Sequence, residues 1–207
     1  MFETVIKEVS AEITEKKSKF ICNVFHVESK EEAEEKLAMV KKKYHDARHN
    51  CYAYKIAEGD LIKSSDDGEP SGTAGVPMLN IINGRNLSNI LVVVTRYFGG
   101  ILLGTGGLVR AYSQATTAAL ETAEIALQYI GLQASFSIEY NQLEELKYHL
   151  SQIGITISKI EYGEKIDVIV EGEEEQIKKL ELGKLSDKIM LDNVRILDKK
   201  LIIINKK

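Results

Sequence analysis

The sequence predicts a mixed α+β protein built from two domains. The chain has 207 residues, of which 44% are apolar and 28% charged, as is typical of globular proteins. Segments with the two-residue period of strands alternate with segments of helical period. After Gly131 these segments follow the order βαββαβ, which is the ferredoxin-like pattern. We therefore predict an N-terminal domain over residues 1–131 and a C-terminal domain over residues 132–207.

The first domain begins with two predicted strands and a helix. TVIKEVSAEIT and KFICNVFHV are rich in β-branched and aromatic residues, and the polar EKKSK between them predicts a turn. Ser29 stands three residues before Glu32 in a capping-box pattern, and apolar residues then recur at helical spacing. A helix is therefore predicted from about residue 30 to 45. The alternation in CYAYKIAE (51–58) predicts another strand.

The rest of this domain is predicted to be a loop, a central strand and a long helix. A loop rich in glycine and proline follows residue 58, and the segment VPMLNIING after it is too short to assign. The continuous apolar run in NILVVVTRYF (89–98) is typical of a central strand. Small and apolar residues from about Gly106 to Tyr129 predict the longest helix, with Gly131 placed to end it.

The second domain repeats strand and helix patterns. LQASFSIEY (132–140) predicts a strand, and NQLEELKYHLSQIG predicts a helix that Gly154 ends. ITISKIEYG and KIDVIVEG predict a hairpin around Gly163 and Glu164. The segment EEEQIKKLELGKLSDKI predicts a helix, and strands are predicted around NVRIL and LIIIN.

Charge and hydropathy exclude several classes of protein. The formal charge is -4, which argues against a uniformly basic nucleic-acid-binding protein. The longest apolar runs fall far short of the roughly 20 residues of a membrane-spanning helix. The opening MFETVIKEVS lacks the basic and then apolar pattern of a signal peptide, so we expect a cytoplasmic protein. Cys22 and Cys51 are expected to be free thiols.

Glycines concentrate in the segment TRYFGGILLGTGGLVR (95–110), which leads from a strand end to the start of the long helix. The segment contains five glycines between two arginines: Gly99, Gly100, Gly104, Gly106 and Gly107, with Arg96 and Arg110. Glycine permits close approach, and a helix N-terminus attracts anions, so one interpretation is an anion cradle. The other is that the glycines let two segments of the fold cross closely. The segment matches neither the Walker A nor the dinucleotide fingerprint.

The stretch DDGEPSGTAGVP (66–77) holds both prolines of the chain and three acidic residues. Asp66, Asp67 and Glu69 have two interpretations, as oxygen ligands of Mg²⁺ or as caps of turns and of the next helix; we favour capping. Pro70 and Pro77 fix the local backbone and predict a loop of defined shape.

Four residues, His45, Asp46, His49 and Cys51, suggest a metal site or a nucleophile with its base. A cysteine packed in the core is the interpretation we favour. No catalytic residue, metal or cofactor is therefore predicted.

Three runs resemble the signatures of the IMPACT/YigZ family over the whole chain, in its two-domain bacterial form: HNCYAY (49–54), DDGEPSGTAGVP and VVTRYFGGILLGTGGLVRAYSQA (93–115). The resemblance implies an N-terminal domain like the second domain of a small-subunit ribosomal protein and domain IV of elongation factor G. It implies a ferredoxin-like C-terminal domain similar to another domain of that factor. Eukaryotic relatives regulate translation under amino-acid starvation by competing for a ribosome-associated activator of the stress kinase, and for bacterial members the resemblance implies association with RNA or the ribosome.

We therefore expect a non-enzymatic, translation-associated protein that engages RNA, the ribosome or a ribosome-associated protein, with no membrane contact and no DNA specificity. The expected binding residues are the five glycines, both arginines and the three acidic residues above. One alternative is a phosphate-handling enzyme that uses the glycine-rich turn and the carboxylates. Another is that Arg96 and Arg110 pair internally with those carboxylates. In the C-terminal sheet, Phe136, Tyr140 and Tyr162 are candidates for base stacking or for the core. The sequence leaves the oligomeric state open.

Overall fold

The computed structural model describes residues 1–183, 185–186 and 189–204, which form a mixed α/β protein of two domains with antiparallel sheets. The strands are β1 (Phe2–Val5), β2 (Val9–Glu15), β3 (Ser18–His26), β4 (His49–Ile56), β5 (Leu61–Ser65), β6 (Ile90–Tyr97), β7 (Ile125–Ile138), β8 (Thr156–Tyr162), β9 (Ile166–Gly172) and β10 (Asp192–Ile204). The helices are α1 (Lys30–Lys43), α2 (Gly75–Gly84), α3 (Gly104–Glu121), α4 (Leu143–Gln152) and α5 (Glu174–Lys179). The compact units are Phe2–Leu127 and Gln128–Ile204. The exact boundary at residue 131 stays a prediction.

The N-terminal unit is built on a five-stranded sheet in the order β2-β3-β6-β4-β5, whose neighbouring strands are antiparallel. Strand β6 lies at its centre, as its apolar run predicts, and is buried from Ile90 to Arg96. Helices α2 and α3 pack on one face, against alternate residues such as Val92 and Val94. Helix α1 packs on the other face, against Leu91 and Val93. The sheet is therefore covered on both sides.

Local signals explain where several of these elements begin and turn. The Ser29 hydroxyl accepts the backbone N–H of Glu32 at 3.1 Å and caps α1, as the sequence predicts. Lys16 and Lys17 make the turn between β2 and β3, and both have positive φ angles, 44° and 65°. Positive φ at both central residues matches the twist of a two-residue hairpin. The predicted turn at EKKSK is thus present.

The structure differs from the sequence prediction at two places in this unit. Strand β5 lies inside the segment that was predicted to be a loop, and it pairs with β4. Helix α3 ends at Glu121, so the prediction that this helix continues to Tyr129 is wrong for the residues after Glu121. The unassigned VPMLNIING forms most of α2.

The C-terminal unit holds a second sheet, in which β10, β7, β9 and β8 are neighbours in that order. Its core combines inward residues of the strands with residues of α4 and α5, including Phe136, Leu146 and Ile177. The predicted hairpin is present as β8 and β9, and Gly154 follows α4 with φ 73°. Within the described part of the helix predicted over residues 173–189, α5 covers Glu174–Lys179 and a 3-10 turn follows at Leu180–Leu182.

The two strands predicted around NVRIL and LIIIN are one continuous strand, β10. Asn205, in the second of these segments, lies outside the described residues, as do Lys184, Asp187 and Lys188 in the predicted helix. No helix among the described residues is long and apolar enough to cross a membrane.

Gly131 lies within strand β7 and does not end a helix, which corrects the prediction. A Cβ atom at this position would lie 2.4 Å from the carbonyl oxygen of Gly172 and 2.4 Å from Cδ1 of Ile202. The glycine therefore permits close packing between neighbouring strands. Residues 125–131 are strand because β7 pairs in a sheet, and tertiary pairing outweighs the local helical preference of Ala126 and Leu127.

Candidate functional site

Asp66 organises the loop of residues 66–77. Its carboxylate accepts backbone N–H groups from Gly72 at 2.8 Å, from Ala74 at 2.9 Å and from Gly75 at 2.8 Å. Burial by itself raises the pKa of this carboxyl. The three N–H bonds together lower the pKa by more than burial raises it, so the pKa lies below its usual value. Asp66 thus caps the start of α2 and holds the loop around itself.

Asp67 is committed to backbone and lysine contacts. One carboxylate oxygen accepts the Lys41 ammonium at 2.9 Å and the other accepts the backbone N–H of Asn50 at 2.8 Å. Its carbonyl oxygen accepts the His49 ring N–H at 2.9 Å. Asp66 therefore has the capping role that the sequence analysis favoured, whereas the Asp67 carboxylate links the loop to Lys41 of α1 and to the backbone of β4.

Glu69 and Arg96 form an ion pair inside the N-terminal unit. Arg96 Nη1 donates to Glu69 Oε1 at 2.7 Å, and the side chains are only 7% and 3% exposed. The Tyr112 hydroxyl donates to the same carboxylate oxygen at 2.8 Å. The guanidinium also lies over the rings of Phe20 and Phe98, at 5.5 and 5.6 Å from their centroids. The internal pairing that the sequence left open is therefore found for Arg96, and the pair ties the loop to β6.

Cys51 lies beside this pair as a free, buried thiol. Its sulfur lies 2.9 Å from the Asp66 carbonyl oxygen, to which its one S–H can donate, and 3.3 Å from the Tyr112 hydroxyl oxygen. Burial raises the pKa of the thiol to about 12, against a weaker lowering by Tyr112. Because the thiolate is the nucleophile, this environment disfavours catalysis by Cys51. Cys22 is also free and buried, and burial raises its pKa.

The glycine-rich segment crosses the β2–β3 turn at close range. The backbone N–H of Gly99 donates to the Ser18 hydroxyl at 3.2 Å. A Cβ atom on Gly99 would lie 2.0 Å from both the carbonyl carbon and the carbonyl oxygen of Lys17. For Gly99 the interpretation as a close crossing therefore fits the structure. The crossing brings the two lysines of the turn next to the glycine-rich segment.

We expect Gly99→Ala to lower the free energy of unfolding by about 2 kcal/mol, because backbone atoms must move to admit the methyl group. Gly106→Ala is the matched control, since its Cβ would meet only the flexible Arg110 side chain, at 3.8 Å. In a helix this substitution is neutral or stabilising. Urea unfolding of both variants measures the difference, and equal stabilities would contradict the close crossing.

Beyond Gly99 the segment exposes apolar side chains. We call Phe98, Ile101 and Leu102 the apolar tip; they are 50%, 41% and 83% exposed. Helix α3 begins directly after it, with no side-chain cap and no acidic residue in its first turn. Gly104 has a positive φ of 70°, and Arg110 is exposed. The tip thus exposes three large apolar side chains within one short stretch of the chain.

The structure thus divides the predicted site residues into two groups. Four have side chains engaged by hydrogen bonds or ion pairs within the unit: Asp66 and Asp67, which are half-buried, and the buried Glu69 and Arg96. The exposed group is Gly100, Gly104, Gly106 and Arg110, with Gly99 and Gly107 partly exposed. Sequence reasoning missed the apolar tip and the lysines of the turn. The sequence did contain a signal for the apolar tip, the short apolar run ILL between two glycines, which has neither the strand period nor the helix period of a core segment.

The described residues contain no group of three or more His, Cys, Asp and Glu side chains that could hold a metal ion. His49 and Asp46 each have other partners, the Asp67 carbonyl and the Tyr97 hydroxyl. Neither the acidic loop nor the histidines therefore bring the ligands for phosphoryl transfer into one place.

The aromatic candidates of the C-terminal unit are separated by burial. Phe136 is buried in the core, whereas Tyr140 and Tyr162 are more than half exposed, with their ring centroids 6.3 Å apart. Of the three candidates, only Tyr140 and Tyr162 are therefore accessible for contact with a partner.

Comparison with known proteins finds matches to both parts of the chain. A model of the Impact N-terminal domain matches residues 16–120, and a domain of unknown function, DUF1949, matches residues 136–181. The chain is 41% identical over 165 residues to the IMPACT family member YvyE of Bacillus subtilis, covering 79% of this chain and 76% of that protein. It is 38% identical over 162 residues to YigZ of Escherichia coli, covering 77% and 76%. A crystal structure of a hypothetical protein superposes with a TM-score of 0.65 at 31% identity, covering 95% of this chain and 96% of that chain.

Proposed function

The chain belongs to the IMPACT family, and we propose on that basis that it is a translation-associated regulatory protein that acts by binding a ribosome-associated protein. Resemblance to the family implies a role in translation, because its eukaryotic members regulate translation by competing for such a partner. The binding surface in this proposal is the apolar tip with the exposed start of α3.

One observation carries the proposal. The acidic residues that a phosphate-handling enzyme would need are committed to backbone caps and a buried ion pair, whereas the neighbouring apolar tip is exposed. Large exposed apolar side chains in a cluster mark interaction sites more often than catalytic ones. The arrangement therefore favours a binding protein over the enzyme alternative.

The same surface favours a protein partner over RNA. Affinity for a nucleic-acid backbone comes from many cations that neutralise phosphates, and binding of single strands adds aromatic rings for stacking. The tip offers isoleucine and leucine beside a single ring, that of Phe98. Apolar contacts of this kind form the centre of protein–protein interfaces.

The fold names implied by the resemblance are also part of the proposal. The order β7-α4-β8-β9-α5-β10, with sheet neighbours β10, β7, β9 and β8, supports a ferredoxin-like fold for the C-terminal unit. For the N-terminal unit, the likeness to the second domain of a small-subunit ribosomal protein rests on the family resemblance.

Sucrose-gradient sedimentation of the tagged full chain in a bacterial extract tests the proposed function. We expect part of the protein to migrate with ribosomal particles, and Leu102→Ser to reduce that fraction about tenfold, because truncating a central apolar contact costs about 1–3 kcal/mol of binding. Leu182→Ser is the matched control, since Leu182 is 82% exposed and lies in the other unit.

Two results would contradict the proposal. In the first, the wild-type protein stays at the top of the gradient at every salt concentration. In the second, Leu102→Ser and Leu182→Ser sediment like the wild type. Sedimentation that depends on salt but not on Leu102 would indicate contact with ribosomal RNA through another surface.

A further inference from the structure

A small notch opens beside the apolar tip. It has a volume of about 80 Å³ and is lined by residues of α3 and of the β2–β3 hairpin, among them Lys16, Leu103, Gly107 and Arg110. Glu15 also lines it. Its ionised lining groups are Lys16, Arg110 and Glu15, two cations and one carboxylate, so the notch carries a local positive charge although the chain as a whole is negative.

The two lysines are held at this place by the backbone. Gly99 packs against the Lys17 carbonyl and hydrogen-bonds to Ser18, which fixes the turn against the glycine-rich segment. Lys16 and Lys17 occupy left-handed positions that asparagine and glycine adopt at lower cost. These angles are those of the two-residue hairpin, so the turn geometry itself places both lysines beside the glycine-rich segment.

Two nearby cations outside the notch, Lys19 and Arg96, are already paired. Lys19, on the adjacent strand, makes an ion pair with Glu12 at 2.7 Å. Arg96 is paired with Glu69 in the core. Arg110 is exposed and makes no ion pair with the described residues. An arginine in this state can offer its planar fork to a carboxylate with two parallel hydrogen bonds.

We infer that the apolar tip and the notch bind a protein segment in which apolar side chains stand next to carboxylates, such as an acidic amphipathic helix. This inference rests on the proposed function and names the chemistry of its partner. The apolar residues of the segment cover Phe98, Ile101 and Leu102, and its carboxylates meet Arg110 and Lys16. The apolar contact provides most of the affinity, and the charges select the acidic segment against a basic one.

The test uses fluorescein-labelled probes and the full chain. The probes are a short amphipathic peptide of leucine and glutamate, the same peptide with lysine in place of glutamate, and a poly(U) oligonucleotide. We expect the acidic peptide to bind and the lysine peptide to bind at least tenfold more weakly. Arg110→Glu should weaken binding of the acidic peptide about tenfold and reduce its salt dependence. Arg195→Glu is the matched control, an exposed arginine of the other unit.

Equal binding of the two peptides, or tighter binding of poly(U), would overturn the inference. The same substitutions in the sedimentation experiment separate its failure from that of the proposed function. If Leu102→Ser removes the protein from the ribosomal fractions but Arg110→Glu does not, the result supports the proposed function and contradicts the inference that the partner segment is acidic. If neither variant changes sedimentation, both proposals fail.

Discussion

Arg96→Met should lower the free energy of unfolding by about 3–5 kcal/mol, because it leaves the Glu69 carboxylate buried without its cation. The methionine can still pack on Phe20 and Phe98, so the loss reports mainly on the charge. Tyr112 remains the only hydrogen-bond donor to the carboxylate among its described partners, and a single neutral hydroxyl cannot replace the guanidinium. Urea unfolding at neutral pH measures the change.

Two further variants test whether loss of the buried ion pair causes the lower stability of Arg96→Met. Arg110→Met should change stability by less than about 0.5 kcal/mol, since Arg110 is exposed. The double variant Arg96→Met/Glu69→Gln should be more stable than Arg96→Met alone, because the amide removes the buried charge and still accepts from Tyr112. A double variant as unstable as the single one would show that packing around Arg96, and not the ion pair, is what matters.

Asp66→Ala should lower the free energy of unfolding by about 3 kcal/mol at neutral pH, since three backbone N–H groups lose a charged acceptor. These donors belong to the loop and to the first turn of α2, so we also expect faster proteolysis within residues 66–75. Glu58→Ala is the control, an exposed acidic residue of the same unit, with an expected change below about 0.5 kcal/mol.

The effect of Asp66 should depend on pH in a defined direction. Its pKa in the folded protein is lowered, so its contribution to stability is present above the unfolded pKa of about 3.9 and is lost as the pH falls through the folded pKa. The stability difference between wild type and Asp66→Ala should therefore be largest near neutral pH and should shrink below about pH 4. A difference that stays constant down to acidic pH would mean that the carboxylate does not cap these amides in its charged form.

Local patterns in the sequence were sufficient for the elements that depend on near neighbours. Ser29 caps α1 through a contact three residues away, and Gly154 follows α4 in the left-handed conformation that glycine favours. The continuous apolar run of β6 predicted a central strand because a strand buried on both faces has no polar side. Long contiguous motifs also identified the family, which the comparisons confirm.

Local patterns failed where a distant partner decides the conformation. The segment before Gly131 has helical preference, yet it pairs as β7, and the glycine is needed for close approach to Gly172 in another strand. Strand β5 was missed for a related reason, because its pairing with β4 stabilises a segment that is polar in sequence.

By itself the sequence determined the family and the two-domain α/β organisation, and it predicted a binding role for the stretches 66–77 and 95–110. Only the tertiary structure decided what their side chains do. Arg96 and Arg110 flank the same glycines, but Arg96 points into the core toward Glu69, 27 positions earlier in the chain, while Arg110 stays exposed. The charge and composition of the two arginines are the same, so no local pattern separates them. The difference arises because a buried charge requires a partner that only the folded chain brings within hydrogen-bonding distance.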